Sequence, residues 1–195
     1  PLIVSTYRNS PTWIKSKNIK LKLKKWIDKF SAKYFTNVLI GVSQGVKRHY
    51  ENEGFNVEHF YTIFNSVDIA DKPNKIDNSL ILRDKYSIEK RKKIIIAVGR
   101  LNDQKGYKYL IKSIKLLSKE EKGFKLLIFG DDQMNGYYQS YCEKKGLDDY
   151  IIFCGNVENI YNVFYQADIF VSSSIYEGLP RAHIEALLCE CPIVS

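Results

Sequence analysis

Lys93-Ile-Ile-Ile-Ala-Val98-Gly99-Arg100-Leu101-Asn102-Asp103-Gln104-Lys105-Gly106 changes character twice within fourteen residues. The unbroken apolar run up to Val98 suits a strand covered on both faces. A glycine and a polar turn follow, and then Leu110, Ile111, Ile114 and Leu117 recur three and four apart, which predicts a helix. Strand, glycine turn and helix bring two cations, Arg100 and Lys105, to the strand's C-terminal edge, where open α/β sheets bind ligands. Working outward, further strands are predicted at 125–129, 150–154, 168–172 and from 192, with helices over 106–119, 135–145, 158–166 and 181–190. Toward the N-terminus, Leu2–Ser5, Val38–Val42 and Glu58–Phe64 read as strands, and Ser43 can cap a helix running to Asn52. Alternation at this spacing implies an α/β fold: Rossmann-like parallel sheets with helices on both faces.

A second stretch lies past the short apolar run Ile169-Phe170-Val171. There Glu177-Gly178-Leu179-Pro180 is followed by a helix start, and Glu185 comes after seven intervening residues. Free amides at a helix N-terminus attract phosphate. Carboxylates are poor partners for phosphate but good acceptors for sugar hydroxyls. An anion site flanked by such acceptors suits a nucleotide-sugar. The bland alternative makes Glu177 a cap, Glu185 a residue on a wet face, Arg100 a capping arginine and Lys105 a solvated lysine.

Taken together, Glu177-Gly178, Pro180 and the Glu185-Ala186 step resemble the signature of retaining glycosyltransferases of GT-B architecture, family four (glycosyl transferases group 1). Gly99-Arg100-Leu101 and Lys105-Gly106 match the same family independently. The resemblance implies that Arg100 and Lys105 hold the donor diphosphate, that Glu177 meets the sugar hydroxyls and that Glu185 meets the ribose. Gly99, Gly178, Leu179 and Pro180 would complete the donor-binding loops. The reaction implied is sugar transfer, with retention, from a nucleoside-diphosphate sugar to an acceptor hydroxyl. The acceptor would be a saccharide or a lipid-linked one, in bacterial surface polysaccharide or glycolipid assembly. No Asp-x-Asp suggests a metal-bridged diphosphate, so neither cofactor nor metal is expected; Asp131-Asp132 and Asp148-Asp149 read as turn residues or caps. The role of His183, between the two glutamates, is left open.

The resemblance also divides the chain. Residues 1–68 correspond to the C-terminal part of an acceptor domain, 69–92 to an interdomain linker, and 93–195 to a donor domain truncated at its C-terminus. Asn65-Ser66-Val67-Asp68 looks like the family's Asn-Gly-Val-Asp turn with serine in place of glycine. Tyr7-Arg8-Asn9 stands where many members carry a histidine. A member would begin with more strands and end with more helices, so the chain reads as a fragment, expected to bind donor weakly and not to turn over.

Composition bounds the alternatives. At 195 residues and 45% hydrophobic there is chain for one core or one and a half, and no apolar run approaches the ~20 residues of a membrane span. The four cysteines, with Cys189 and Cys191 one residue apart, lack zinc spacing, so reduced thiols in a cytoplasmic protein are expected. Residues 1–50 hold eleven Lys and Arg against the single Asp28, whereas the whole chain is +8. Eight of those lysines lie in Lys15–Lys33, where Ile19, Leu23, Trp26, Ile27, Phe30 and Tyr34 recur at helical spacing. This predicts an amphipathic helix with lysines outward and Trp26 and Phe30 in the core. It is either a solvated face or a peripheral contact with an anionic membrane surface. Nucleic acid is not expected, since no recognised module accompanies the lysines. Two rivals remain: a non-catalytic nucleotide-sugar-binding partner, and a dinucleotide enzyme, which the absence of Gly-x-Gly-x-x-Gly disfavours.

Overall fold

The computed structural model describes residues 2–9, 19–55, 58–68 and 81–195. Its contacts divide the chain into two units, Pro1–Ser66 with Tyr176–Pro180, and Val67–Ile175 with Arg181–Ser195.

In the first unit β1 (Val4–Tyr7), β2 (Val38–Gly41) and β3 (Phe60–Thr62) form a parallel sheet in that order. The crossovers are α1 (Ile19–Phe35) and α2 (Gln44–Asn52). Ser43 caps α2 as its sequence predicts, its Oγ accepting from the Val46 amide at 3.2 Å. Leu39, Val42, Val46, Tyr50, Phe55 and Phe60 make the core, with Tyr7 and Leu179 packed against it. Ser66 has no left-handed backbone, so the serine in the Asn-Ser-Val-Asp turn carries no strain of that kind.

Helix α1 corrects the sequence reading. Trp26 is 62% and Phe30 45% exposed, and among the helix residues only Ala32 is buried. Leu21, Lys25, Asp28 and Lys29 are partly buried and share a helical face with Ala32; that face meets the unit. Lys25 pairs with Glu53 at the end of α2, which fixes the orientation. The apolar stripe therefore points the other way. Lys15 and Lys17, assigned to the same helix from sequence, lie outside the described residues.

The second unit holds α3 (Leu82–Lys85), β4 (Lys93–Val98), α4 (Tyr107–Glu120), β5 (Phe124–Phe129), α5 (Tyr137–Glu143), β6 (Ile151–Gly155), α6 (Ile160–Gln166), β7 (Ile169–Val171), α7 (Arg181–Leu188) and β8 (Ile193–Val194). Of the segment 69–92, residues 69–80 lie outside the described ones, and α3 precedes the turn into β4. The sheet order is β6-β5-β4-β7-β8, parallel throughout. Alternate residues of the central strands point to opposite faces. Ile95, Ala97, Leu126 and Ile128 pack with α4 and α5, through Ile111, Ile114 and Tyr138. Ile94, Ile96, Leu127 and Phe129 pack on the other face with Leu82 of α3, Phe164 of α6 and Ala186 of α7. At the lower edge Asp168 accepts from the Ile94 amide at 2.8 Å and from Lys93 Nζ at 2.9 Å. The chain winds outward through β5 and β6, then returns to lay β7 on the other side of β4. That reversal sets β4 between β5 and β7 in the middle of the sheet.

Candidate functional site

Three adjacent strands of the second unit end in glycine: Val98-Gly99, Phe129-Gly130 and Cys154-Gly155. The Gly99 amide donates to Phe129 O at 2.9 Å and the Gly130 amide to Gly155 O at 2.9 Å, so the strand ends stay level. A Cβ on Gly130 would fall on the carbonyl oxygen of Gly99, and its φ of 148° lies where side chains are rarely carried. Beside this close approach opens a crevice of about 300 Å³ whose lining includes Gly99, Arg100, Gly130, Val157, Ile160 and Glu185. The fold thus brings Glu185 to the adjacent Gly99 and Arg100, from which it is far removed in sequence.

Lys105 closes a short 3-10 turn, Asp103–Lys105, capped by Asn102 Oδ1, which accepts from its amide. Its side-chain methylenes lie against Gly99. Ser173 Oγ donates to Lys105 O at 2.9 Å, and the Ile175 amide donates to Gln104 O at 2.8 Å. The cation-bearing loop is thereby tied to the segment after β7, across the point where the winding reverses. Tyr107 Oη donates to Gly99 O at 2.7 Å and holds the first glycine in place.

Glu185 lies on α7 with its side chain 13% exposed, 3.5 Å from the Arg181 guanidinium. Burial pushes its carboxyl above the ordinary value of 4.5, and Arg181 opposes that shift. The alternative that set Glu185 on a wet face therefore does not describe it. His183 packs edge-on against Phe170, with ring centroids 5.3 Å apart, rather than standing on a wet face.

Glu177, Gly178, Leu179 and Pro180 belong by contact to the first unit. Leu179 packs on that unit's core and its carbonyl accepts from Asn65 Nδ2 at 2.6 Å. A Cβ on Gly178 would land on the Arg8 carbonyl oxygen and crowd Val42, so this turn closes only around glycine. Asn65 and Gly178 together hold the peptide that follows Glu177. Pro180 immediately precedes α7.

Sequence reasoning missed Gly130, Val157 and Ile160 as lining residues. The signal was present as a glycine after each of three predicted strands, but its meaning depends on those strands being neighbours. It also missed Asn65 as the anchor of the glutamate turn, a pairing 114 residues apart. Asp132 is a cap, its carboxylate accepting from the Met134 and Gly136 amides. The four cysteines are free thiols. Among the described residues no cluster of His, Cys, Asp or Glu has metal-holding geometry, and no helix is long and apolar enough to cross a membrane.

The family described as glycosyl transferases group 1 matches residues 78–195. An uncharacterized glycosyltransferase of Methanocaldococcus jannaschii is 30% identical over 151 residues, covering 74% of this chain and 37% of that protein. A Campylobacter jejuni 4-alpha-N-acetylgalactosaminyltransferase, named for a diphospho-undecaprenol-linked saccharide, is 25% identical over 132 residues, 68% of this chain and 33% of its own length. The chain thus spans about a third of these relatives. Among solved structures, Anabaena HepE in complex with UDP and glucose superposes with a TM-score of 0.84 at 18% identity, covering all of this chain and 52% of that one. With its parallel sheets, the fold is of GT-B type.

Proposed function

The chain belongs to the glycosyl transferases group 1 family, and from that premise we propose that it serves to move a hexosyl group from a nucleoside-diphosphate sugar to an acceptor hydroxyl, with retention. The observation that carries this reading is the crevice over the C-terminal ends of β4, β5 and β6, whose lining includes Gly99, Arg100 and Glu185. Charge develops on the departing diphosphate as the anomeric carbon becomes cationic, and fixed cations aimed there lower the barrier. Arg100 and Lys105 take that task, without a metal. Glu185 accepts from the ribose hydroxyls, and Val157 and Ile160 offer an apolar wall to the base. Glu177 takes the sugar hydroxyls. Residues 1–68 act as part of the acceptor domain and 93–195 as the donor domain. The acceptor is a saccharide or a lipid-linked one, and the pathway is surface polysaccharide or glycolipid assembly at the cytoplasmic face of a bacterial membrane. The neighbour bound to UDP and glucose and the relative named for a lipid-linked diphosphate support this choice.

Calorimetric titration with UDP tests it. Arg100→Ala and Lys105→Ala should each weaken binding about tenfold or more, the loss of one charge-assisted contact. In the whole protein each should cost on the order of 2–4 kcal/mol in turnover. Glu185→Gln should act on nucleotide affinity, and Glu177→Gln on turnover, through misplacement of the sugar. UDP affinity unchanged in both cation variants would remove the assignment.

A further inference from the structure

Helices α4 and α5 of the second unit leave an open groove of about 340 Å³ between them, whose lining includes Lys112, Lys115, Leu116, Lys119, Tyr141 and Lys145. Three of these lysines belong to one face of α4, where Lys108, Lys112, Lys115 and Lys119 follow one another at steps of four, three and four. The only acid on that helix is Glu120, and one turn before it stand Leu116 and Leu117 rather than a lysine. Among the described residues none of the four groove lysines has a carboxylate partner. The floor is apolar: Leu116 is 65% exposed, and Tyr141 packs against the unit's core. Tyr137 lies nearly parallel to Tyr141 with ring centroids 6.2 Å apart, and Lys145 Nζ stands 5.5 Å from the centre of the Tyr141 ring.

Like charges three and four apart on a helix repel, so the lysine row costs α4 stability while nothing opposes it. An apolar cover would add the desolvation of four ammonium groups to that cost, whereas an anion would relieve it. The counter-charge also has to fill a trough: a flat bilayer would rest on the rims and leave the floor uncovered. Tyrosine rings set among ammonium groups suit a ligand that carries apolar faces and acid groups side by side. A pyranose ring offers such a face through its C–H bonds, and an acid group on each sugar supplies the charge. An acidic peptide supplies the charge without the face.

We propose that the groove between α4 and α5 is a second saccharide site that holds an anionic polysaccharide chain, with its acid groups on Lys112, Lys115, Lys119 and Lys145 and a sugar ring on Tyr141. This rests on the proposed function and deepens it, because it names the class of saccharide that the protein handles, an acidic one. The groove shares no lining residue with the donor crevice, so a chain held there leaves the nucleotide-sugar site free.

The test titrates the 195-residue chain calorimetrically with hexagalacturonate, with maltohexaose as the uncharged saccharide and hexaglutamate as the anion without a sugar. Hexagalacturonate should bind, and more weakly as salt rises. Maltohexaose should not bind, and hexaglutamate should bind about tenfold more weakly or worse. Lys112→Ala with Lys145→Ala should lower hexagalacturonate affinity about tenfold or more. Lys22→Ala with Lys33→Ala removes the same charge from α1 and should change it less than about twofold. Tyr141→Leu keeps an apolar side chain toward the core but removes the flat ring; it should weaken hexagalacturonate about threefold or more and leave hexaglutamate unchanged. UDP titration of the groove variants should match the unaltered chain. Failure of the unaltered chain to bind UDP would count against the donor reading alone, since the two ligands are titrated separately. Equal losses in the two lysine pairs, equal affinity for hexaglutamate and hexagalacturonate, or binding to phosphatidylglycerol vesicles through these lysines without binding hexagalacturonate would overturn the proposal.

Discussion

The sheet of the second unit and helix α1 of the first carry the same kind of sequence signal, apolar residues at regular spacing, and put it to opposite uses. In β4 and β5 every core-facing position is covered, one set by α4 and α5 and the other by α3, α6 and α7. In α1 the regular stripe is uncovered, and the face against the unit is made of Leu21, Lys25, Asp28, Lys29 and Ala32. Periodicity states that a face is apolar. It does not state what lies against it. Where strands are apolar on both sides, only helices on both sides satisfy them; where one helix has one apolar face, the chain can leave that face for another surface.

The largest effect that would break this contrast is in the sheet. Leu126, on β5, is fully buried on the face that packs against α4 and α5. Leu126→Ala should cost about 2–5 kcal/mol in chemical denaturation, a lost side chain plus the cavity it leaves. A loss below about 1 kcal/mol would mean the sheet is no better covered than the helix.

Much of the second unit was legible because its cues are local. Strand β4 matches its predicted limits at Lys93 and Val98, and Leu110, Ile111 and Ile114 are buried as their spacing requires, whereas Leu117, assigned to the same face, is 38% exposed near the end of α4. The cap at Ser43 needed only its neighbours. What could not be read were relations between distant segments. The crevice joins residues from the ends of β4, β5 and β6 and from α7, and the sequence does not announce that the winding reverses after β6. Asn65 meeting Leu179, and the facing of α1, depend on packing that no window of residues contains. The error over Trp26 and Phe30 came from taking aromatic residues for core residues, whereas in α1 both are exposed.

A middle-sized effect sharpens the contrast from the side of the crevice. Glu185 is held above its ordinary value by burial, against the pull of Arg181. Its ionised form suits ribose hydroxyls, so UDP affinity should fall as pH drops through that raised value, at a higher pH than an exposed glutamate would allow. Stability has the opposite sign. A carboxyl raised in the folded state binds more protons there than when unfolded, so stability should decline as pH rises from about 4.5 through the folded value. Glu185→Gln should flatten both profiles and weaken UDP at neutral pH by about 1 kcal/mol. If both profiles persist in this variant, another group titrates and the crevice is not what sets the pH response.

The smallest expected effect is the most direct probe of the helix. Ile27 is 51% exposed on α1. Ile27→Ala removes apolar surface that already faces outward, so little burial is lost. Alanine also forms helix more readily than a β-branched residue, a gain of a few tenths of a kcal/mol. The two terms nearly cancel, and denaturation in buffer should move by no more than about 0.5 kcal/mol. A loss approaching that of Leu126→Ala would place Ile27 under cover within the chain and end the contrast. A neutral effect in buffer keeps it, since an outward-facing residue has little burial to lose.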